Sequence, residues 1–388
     1  MGANTLTNLI PEIMLALDII SRELVGFIPA VMKATAAERA AKGETVRWPV
    51  VAARAAADIT PAATGPDPAG ETIGSSTLTI SKSRSVTFPW NGEEQKGLNN
   101  AGTYAAILRD QFAQAMRTLA NEIEADLASL YGKASRAYGT AGTTPFGTAD
   151  DFSDFAQIRK ILEDNGAPTG DLHLVLDSFA VANLLGKQSS LFKANEAGTS
   201  DMLRRGTIGD IEGLMIHKSG QVKTHAKSTG DAFVTDGQDV VGETTIAVDG
   251  GVATDDVDPG DVITIADEAS PLNKYVVASG FTDAAAGNIV IGAPGLLNPT
   301  ADGKAVTKSA NYKANMAFSR NAMALVTRAP ALPEGGDAAE DRYIVTDPVS
   351  GLSFDIGLYR QYHQVSYEVG IAWGFQAVKT EHIALLLG

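Results

Sequence analysis

Tyr104, Leu108, Phe112, Met116, Leu119, Ile123, Leu127 and Leu130 follow one another at steps of 4, 4, 4, 3, 4, 4 and 3, the spacing of one face of an α-helix. The segment from Asn100 to about Arg136 is therefore read as a single long helix. At 1.5 Å per residue it would span about 50 Å, enough to cross a whole subunit as a spine. Only one apolar stripe is present, and Gln111, Arg117, Asn121, Glu122 and Asp126 flank it. Packing against a sheet or in a coiled coil would both satisfy it.

The rest of the chain must supply what that helix packs against. With 388 residues, 44% of them hydrophobic, there is material for about two or three domains. Aromatics are 6% and glycines number 39, a balance that suits turns and thin, extended pieces. Ahead of the helix, Ile13, Leu17, Ile20, Leu24 and Ile28 are spaced as a short amphipathic helix leading into an arm, and an ordinary packing helix would read the same way. From Thr45 to Gln95 the pattern is extended. Val46 to Val50 forms one strand and Ser76 to Phe88 another, with a Pro/Gly/Ala loop between them.

In that second strand Leu78, Ile80, Lys82, Arg84, Val86 and Phe88 share one face, and Thr77, Thr79, Ser81, Ser83, Ser85 and Thr87 share the other. Two such strands bury little by themselves. The hairpin is expected to lie on another surface, either its own body or a neighbouring subunit. In the second case Leu78, Ile80, Lys82, Arg84 and Val86 are the candidate inter-subunit contacts. An ordinary edge hairpin remains the alternative.

Beyond the Gly/Thr-rich linker Gly139 to Thr148, the apolar residues Phe152, Phe155, Ile158, Ile161 and Leu162 mark a helix ended by Asn165-Gly166. A strand is expected at Leu172 to Leu176. Asp177 or Ser178 then caps a short helix through Leu185, and Gly206 to His217 reads as turn and strand. Together these make an α/β domain. Short strands follow at Thr244 to Val248, Asp261 to Ile265, Lys274 to Ala278 and Asn288 to Ile291, the pattern of a small barrel or sandwich. Near the C-terminus, Tyr343 to Thr346, Leu352 to Tyr359 and Gln364 to Ile371 are expected as strands, the first two divided by the turn Asp347 to Gly351.

Charge separates one of these parts from the rest. The chain carries a net -15, but between Asp231 and Gly303 thirteen acidic residues face one basic residue, Lys274, so that segment holds -12 and the remainder only -3. An acidic surface argues against binding nucleic acid through phosphate contacts. The absence of cysteine excludes disulfides and thiol chemistry and agrees with a reducing cytoplasm. Neither a signal peptide nor a membrane span is expected.

A catalytic or cofactor pattern is not recoverable. His173, His217, His225, His363 and His382 include no i, i+4 pair and are read as structural. Gly206 to Gly213 lacks the spacing of a phosphate loop. The run Asp255, Asp256, Asp258 and Asp261 could bind a hard cation but lacks EF-hand order, and a solvated acidic turn is favoured. No enzyme, cofactor or metal is expected.

The order of the pieces carries a resemblance. Asn4 to Pro11, Ser21 to Phe27, Gly206 to Gly213, Pro259 to Ile265 and Ala317 to Met323 resemble the major capsid (coat) proteins of tailed bacteriophages, specifically the podophage branch with an inserted domain. The resemblance implies an α+β, Hong Kong 97-type capsid fold. Residues 1–44 would be the N-terminal arm and 45–97 an extended loop lying on the adjacent subunit. Residues 98–148, completed by 338–372, would be the spine helix and peripheral domain. Residues 149–230, completed by 304–337 and 373–388, would be the axial domain, and 231–303 an inserted acidic β-barrel-like domain; apart from the resemblance, its -12 would repel itself inside a contact, so it is expected to face outward. It further implies hexamers and pentamers of the chain itself in an icosahedral shell, with scaffolding, portal and decoration proteins as partners. No sequence-specific nucleic acid or membrane partner is implied, and the virion capsid, assembled in the bacterial host cytoplasm, would be its location. An encapsulin-like compartment shares that fold, and a secreted surface-layer or adhesin protein is the reading from another class.

Overall fold

The computed structural model describes residues 26–50, 73–100, 104–188, 209–266, 273–347 and 350–388, together with positions 56, 58, 59, 61 and 70. The first half of the chain forms α1 (Phe27–Ala30), β1 (Met32–Ala40), β2 (Thr45–Val50), β3 (Gly74–Thr79), β4 (Lys82–Asn91), α2 (Gly92–Asn100), α3 (Tyr104–Ala128), β5 (Arg136–Tyr138), α4 (Ser153–Asp164), β6 (Leu172–Leu176) and α5 (Ser178–Lys187). The second half is almost entirely strand. It contains β7 (Asp210–Ile211), β8 (Leu214–Lys218), β9 (Thr224–His225), β10 (Val234–Thr235), β11 (Thr245–Asp249), β12 (Val262–Ile265), β13 (Lys274–Ser279) and β14 (Gly287–Ile291). After these come β15 (Val306–Lys308), β16 (Tyr312–Ser319), β17 (Met323–Pro330), β18 (Asp341–Thr346), β19 (Ser353–Gln361), β20 (Gln364–Ala377) and β21 (Ile383–Leu387).

The stripe that defined the long helix is its buried face: Leu108, Phe112, Met116, Leu119, Ile123 and Leu127 are all buried in α3. The helix is shorter than its periodicity predicts, 25 residues or about 37 Å. It gives way to a 3-10 turn, Ser129–Lys133, because the residues that follow belong to a sheet. Ser135 already donates to the Ile383 carbonyl at 2.9 Å, and β5 pairs in parallel with β21. The partner of the stripe is a sheet. Phe112 packs edge-on against Phe88 of β4 and Tyr367 of β20, at centroid distances of 5.0 and 5.4 Å.

That sheet runs β1-β17-β20-β19-β18, with β4 also paired to β20. The segment expected as an arm is described only from residue 26 onward. Of the apolar series Ile13 to Ile28 only Ile28 falls within the described residues, in the four-residue α1. Residues 32–40 are a strand parallel to β17, from Met32↔Ala324 to Ala40↔Pro330. Ala-rich sequence favours helix locally, and pairing across the sheet overrides that preference.

The strand expected over Ser76 to Phe88 is two strands. The chain turns at Ile80 and Ser81, where Ser81 N donates to the Trp373 carbonyl at 3.0 Å. Gly374 permits this crossing, since a Cβ there would lie 2.2 Å from the Thr79 carbonyl oxygen. Before the crossing β3 pairs, among the described residues, with β2 alone; after it β4 runs antiparallel to β20 from Lys82↔Trp373 to Asn91↔Gln364.

The second sheet is built on β16, with β6 on one side and β21 on the other, and β8 lies parallel to β6. Helix α4 is as read, ending at Asn165 with Gly166 at φ +76°. Asp177 caps α5 by accepting from the Ala180 amide at 2.9 Å. The acidic segment supplies strands where they were read, and their pairings run in a circuit. β10 pairs β11, β11 pairs β14, β14 pairs β13, β13 pairs β12 and β12 pairs β15. A Val234↔Ala305 bridge returns from beside β15 to β10. The circuit encloses its own apolar cluster, including Phe233, Ile246, Ile263, Tyr275, Ile289 and Val306. It takes in β15, beyond Gly303, and it is joined to the second sheet by the pairing of β13 with β5.

Candidate assembly surface

All five residues read as inter-subunit contacts have roles inside the chain. Leu78 and Ile80 are each 1% exposed, in a small cluster with Ala40, Ala324, Val326 and Ala372. Lys82 Nζ lies 2.7 Å from Asp126 Oδ1, and the other oxygen of Asp126 accepts from Trp373 Nε1 at 2.8 Å. Arg84 Nε is 3.3 Å from Glu122 Oε2. Val86 is half-buried against the main core. The physical reason is a match of repeats. Residues two apart on a strand are separated by about 6.7 Å and residues four apart on a helix by about 6 Å, so Lys82 and Arg84 on β4 meet Asp126 and Glu122 on α3. The four charges were visible in the sequence, but that strand and helix face each other was not. What faces outward is the hydroxyl row, with Thr77, Thr79, Ser81, Ser83, Ser85 and Thr87 all exposed.

The hairpin β2–β3 is anchored at one end. Gly43 N and Ile80 O are bonded at 2.9 Å at its base, and the strands pair from Thr45↔Thr79 out to Val50↔Gly74. Beyond that, the described positions Ala56, Asp58, Ile59, Pro61, Gly70 and Ile73 are all exposed, Ile59 by 98% and Ile73 by 65%. Two large apolar side chains between the two strands in sequence thus stand in solvent. Among the described residues, β4 pairs with β20 and with no strand on its other edge.

Glu124, which sequence reading missed, fixes the start of the described chain. It is fully buried, and its carboxylate accepts from the amides of Gly26, Phe27 and Ile28 at 2.5, 2.7 and 3.0 Å. An acidic residue inside the apolar stripe of a helix was the available signal.

His173, His217 and His225 form two polar clusters. His173, on β6, receives or donates at both ring nitrogens, to Asp171 Oδ1 and His217 Nε2, each at 2.9 Å. His225 lies between the Tyr131 hydroxyl and Asp261 Oδ1, each at 3.0 Å. Burial pushes Asp261 upward, but hydrogen bonds from His225, Ser228 and the Asp258 and Ser228 amides outweigh it and hold the carboxyl below its ordinary range. A Tyr-His-Asp line resembles a proton relay. Here Asp261 is 1% and His225 6% exposed, and the line ties the barrel to the 3-10 turn at the end of α3.

The reading of Asp255 to Asp261 as a solvated turn is corrected by the same geometry. Asp255 and Asp261 are buried, and the carboxylates of Asp255, Asp256 and Asp261 accept from the amides of Val252, Asp283 and Asp258 respectively. Among the described residues no group of three or more His, Asp or Glu is placed to hold a metal ion. The described part of Gly206 to Gly213 is a tight turn between β7 and β8, with Glu212 at φ +51° and Gly213 at φ +75°. Among the described residues no helix is long and apolar enough to cross a membrane.

No family model matches this sequence, and no curated protein does. Solved structures similar to it include Mycobacterium phage Che8, with TM-score 0.47, 14% identity and coverage of 89% of this chain and 85% of that one. The capsid structure of the cyanophage P-SCSP1u gives 0.49, 10%, 94% and 88% in the same order. The virus-like particle from Pyrococcus furiosus gives 0.40, 10%, 97% and 98%.

Proposed function

We infer that this chain is the major capsid protein of a tailed bacteriophage, a structural and non-catalytic subunit that assembles with its own copies into an icosahedral shell. The observation that carries the reading is the hairpin anchored at one end, with Ile59 and Ile73, both between its strands in sequence, in solvent. Covering such groups stabilises an assembly by about 25 cal/mol per Å² of apolar surface removed from water, repeated at every symmetry-related contact. The unpaired edge of β4 and the exposed hydroxyl row beside it are further surface that an isolated chain leaves unused.

In this reading residues 1–44 serve as the N-terminal arm, and 45–97 reach a neighbouring subunit through the hairpin tip. Residues 98–148 with 338–372 form the peripheral part, 149–230 with 304–337 and 373–388 form the axial part, and 231–303 form the acidic module on the outer face. Scaffolding, portal and decoration proteins would be its partners during assembly in the bacterial cytoplasm.

Electron microscopy of the purified recombinant chain, with and without any scaffolding-like protein encoded beside its gene, tests this. Closed icosahedral particles are expected, and Ile59→Asp with Ile73→Asp should yield folded chain without shells. A monomer or small oligomer under both conditions would remove the reading. Shells filled with a co-purifying enzyme would move it to an encapsulin-like compartment.

A further inference from the structure

The start of the described chain is braced from two sides. On one side the buried Glu124 carboxylate takes the amides of Gly26, Phe27 and Ile28. On the other, Arg320 Nη1 donates to the Pro29 carbonyl at 3.2 Å while its Nε is 2.7 Å from Asp171 Oδ2. Phe27 stacks on Phe318 with centroids 6.2 Å apart. Gly26 is wedged so tightly that a Cβ would lie 2.9 Å from Val175 Cγ1 and 3.0 Å from the Lys218 carbonyl.

Behind Arg320 stands a continuous polar line. Asp171 Oδ1 meets His173 Nε2, and His173 Nδ1 meets His217 Nε2, at 2.9 Å in each case. The two histidines are diagonal neighbours on parallel strands, since His173 pairs with Met215 and Val175 with His217. A carboxylate on Nε2 fixes the proton of His173 there and leaves Nδ1 as the acceptor. His217 must then be the donor, so one proton lies between the rings and there is no room for a second.

We propose that the His173–His217 pair is a proton-sensitive brace for the N-terminal segment: near neutral pH one shared proton ties β6 to β8 and leaves Arg320 on Asp171 and Pro29, and a second proton taken up on acidification drives Arg320 from Pro29 and frees residues 26–31. The second proton goes to the outer nitrogen of His217, Nδ1, and the imidazolium so formed, with the guanidinium beyond Asp171, makes two cations against one carboxylate beside a His173 that is wholly buried. The other charged groups facing Arg320 are Lys33, whose ammonium donates to the Ser350 carbonyl at 2.6 Å, and Asp347 near it.

The sign follows from the surroundings. Burial first, then the neighbouring cations, hold both histidines below the ordinary value, His217 at about 4. A base whose seated form is harder to protonate favours the unseated form as pH falls, so the brace weakens from about 6.5 downward. Glu124 works the opposite way. Burial, acting against the Phe27, Ile28 and Gly26 amides and the Ser219 hydroxyl, raises its carboxyl, so its proton uptake favours the seated segment. Release on acidification therefore cannot come from Glu124.

Amide hydrogen exchange of the full chain, corrected for intrinsic rates and followed from about pH 7.5 to about pH 4.5, tests the brace. Protection over 26–31 is expected to fall about tenfold or more across that range while β16 and β21 keep theirs. His217→Gln, which keeps a donor for His173 but takes up no proton, should remove most of the fall. Protection over 26–31 that does not change with pH, or that is lost only in step with β16 and β21, overturns the proposal. So does an unaltered profile in His217→Gln. If that variant fails to fold, the wild-type series decides alone.

Discussion

The barrel and the hairpin both leave the two main sheets, and they are held in opposite ways. The barrel encloses its own apolar cluster and is tied to the 3-10 turn after α3 by Tyr131, His225 and Asp261. The hairpin has almost no interior: Leu78 and Ile80 are buried only because β17 and β20 lie beneath them. The barrel can therefore keep its shape whatever surrounds it, and the hairpin takes its order from the surface it touches. An assembling protein gains from that division, since a segment without a core of its own can adapt to a neighbour at little cost to the subunit.

The largest expected effect is at the barrel's attachment. Asp261→Ala leaves His225, the Ser228 hydroxyl and two amides without their acceptor in a buried place, and should cost about 3 kcal/mol or more. Urea unfolding followed by far-UV circular dichroism would measure it. The loss should appear as an earlier transition of the barrel, with the sheet of β1, β17, β20, β19 and β18 unfolding at its wild-type midpoint. A single cooperative shift of the whole chain would break the comparison, because it would show that the barrel is not a separate unit of stability.

At the hairpin, Leu78→Ala should cost about 2 kcal/mol, the low end for a buried leucine, since the cluster around it is thin. Gly374→Ala attacks the same contact from below. Its Cβ would lie 2.2 Å from the Thr79 oxygen and 2.6 Å from Leu78 Cδ2, so the hairpin must lift, at about 1–3 kcal/mol. Both variants should expose the hairpin to limited proteolysis while β20 stays protected from hydrogen exchange. Loss of protection in β20 as well would show that the hairpin supports the sheet as much as the sheet supports it.

These two regions also mark how far the sequence could be read. Period-2 and period-3.6 patterns are local, and they located the stripe of α3, the alternation of β3 and β4 and the four central strands of the barrel. Among the strands that escaped are three of the most buried. β16, β17 and β21 are buried on both faces, as in Met316, Ala317 and Phe318 or in Leu385, Leu386 and Leu387, so they show no alternation to detect. The break at Ile80 and Ser81 depends on Gly374, some three hundred residues away in sequence, and no local pattern encodes it. The same holds for the candidate contacts. Which residues alternate was legible from Leu78 to Val86, but which surface they meet depends on Glu122 and Asp126 arriving opposite them.

Acid should distinguish the attachments by their order of failure. The Asp261 carboxyl is held below its ordinary value. A depressed acid contributes stability that is present above its unfolded value, near 4, and is lost as pH falls through the folded one. The barrel's transition should therefore hold its midpoint from about pH 7 to about pH 5 and decline only below about 4. In Asp261→Asn that final decline should disappear. A barrel that weakens already near pH 6 would mean that another group, and not Asp261, governs its attachment.

The smallest expected effect asks whose surface the hairpin serves. Arg84 is more than half exposed and its pair with Glu122 is a surface ion pair, worth about 0–1 kcal/mol. If the contact is made within one chain, Arg84→Glu should loosen β4 slightly by placing two carboxylates together, and adding Glu122→Arg should restore it in the isolated chain. If Arg84 instead meets Glu122 of a neighbouring copy once assembled, the double variant restores that contact too, and the yield of shells with it. Mixing Arg84→Glu chains with Glu122→Arg chains separates the cases. Only an inter-subunit contact can recover shells from the mixture, because each chain alone still carries its mismatched pair, whereas an intrachain contact leaves both chains as defective together as they are apart.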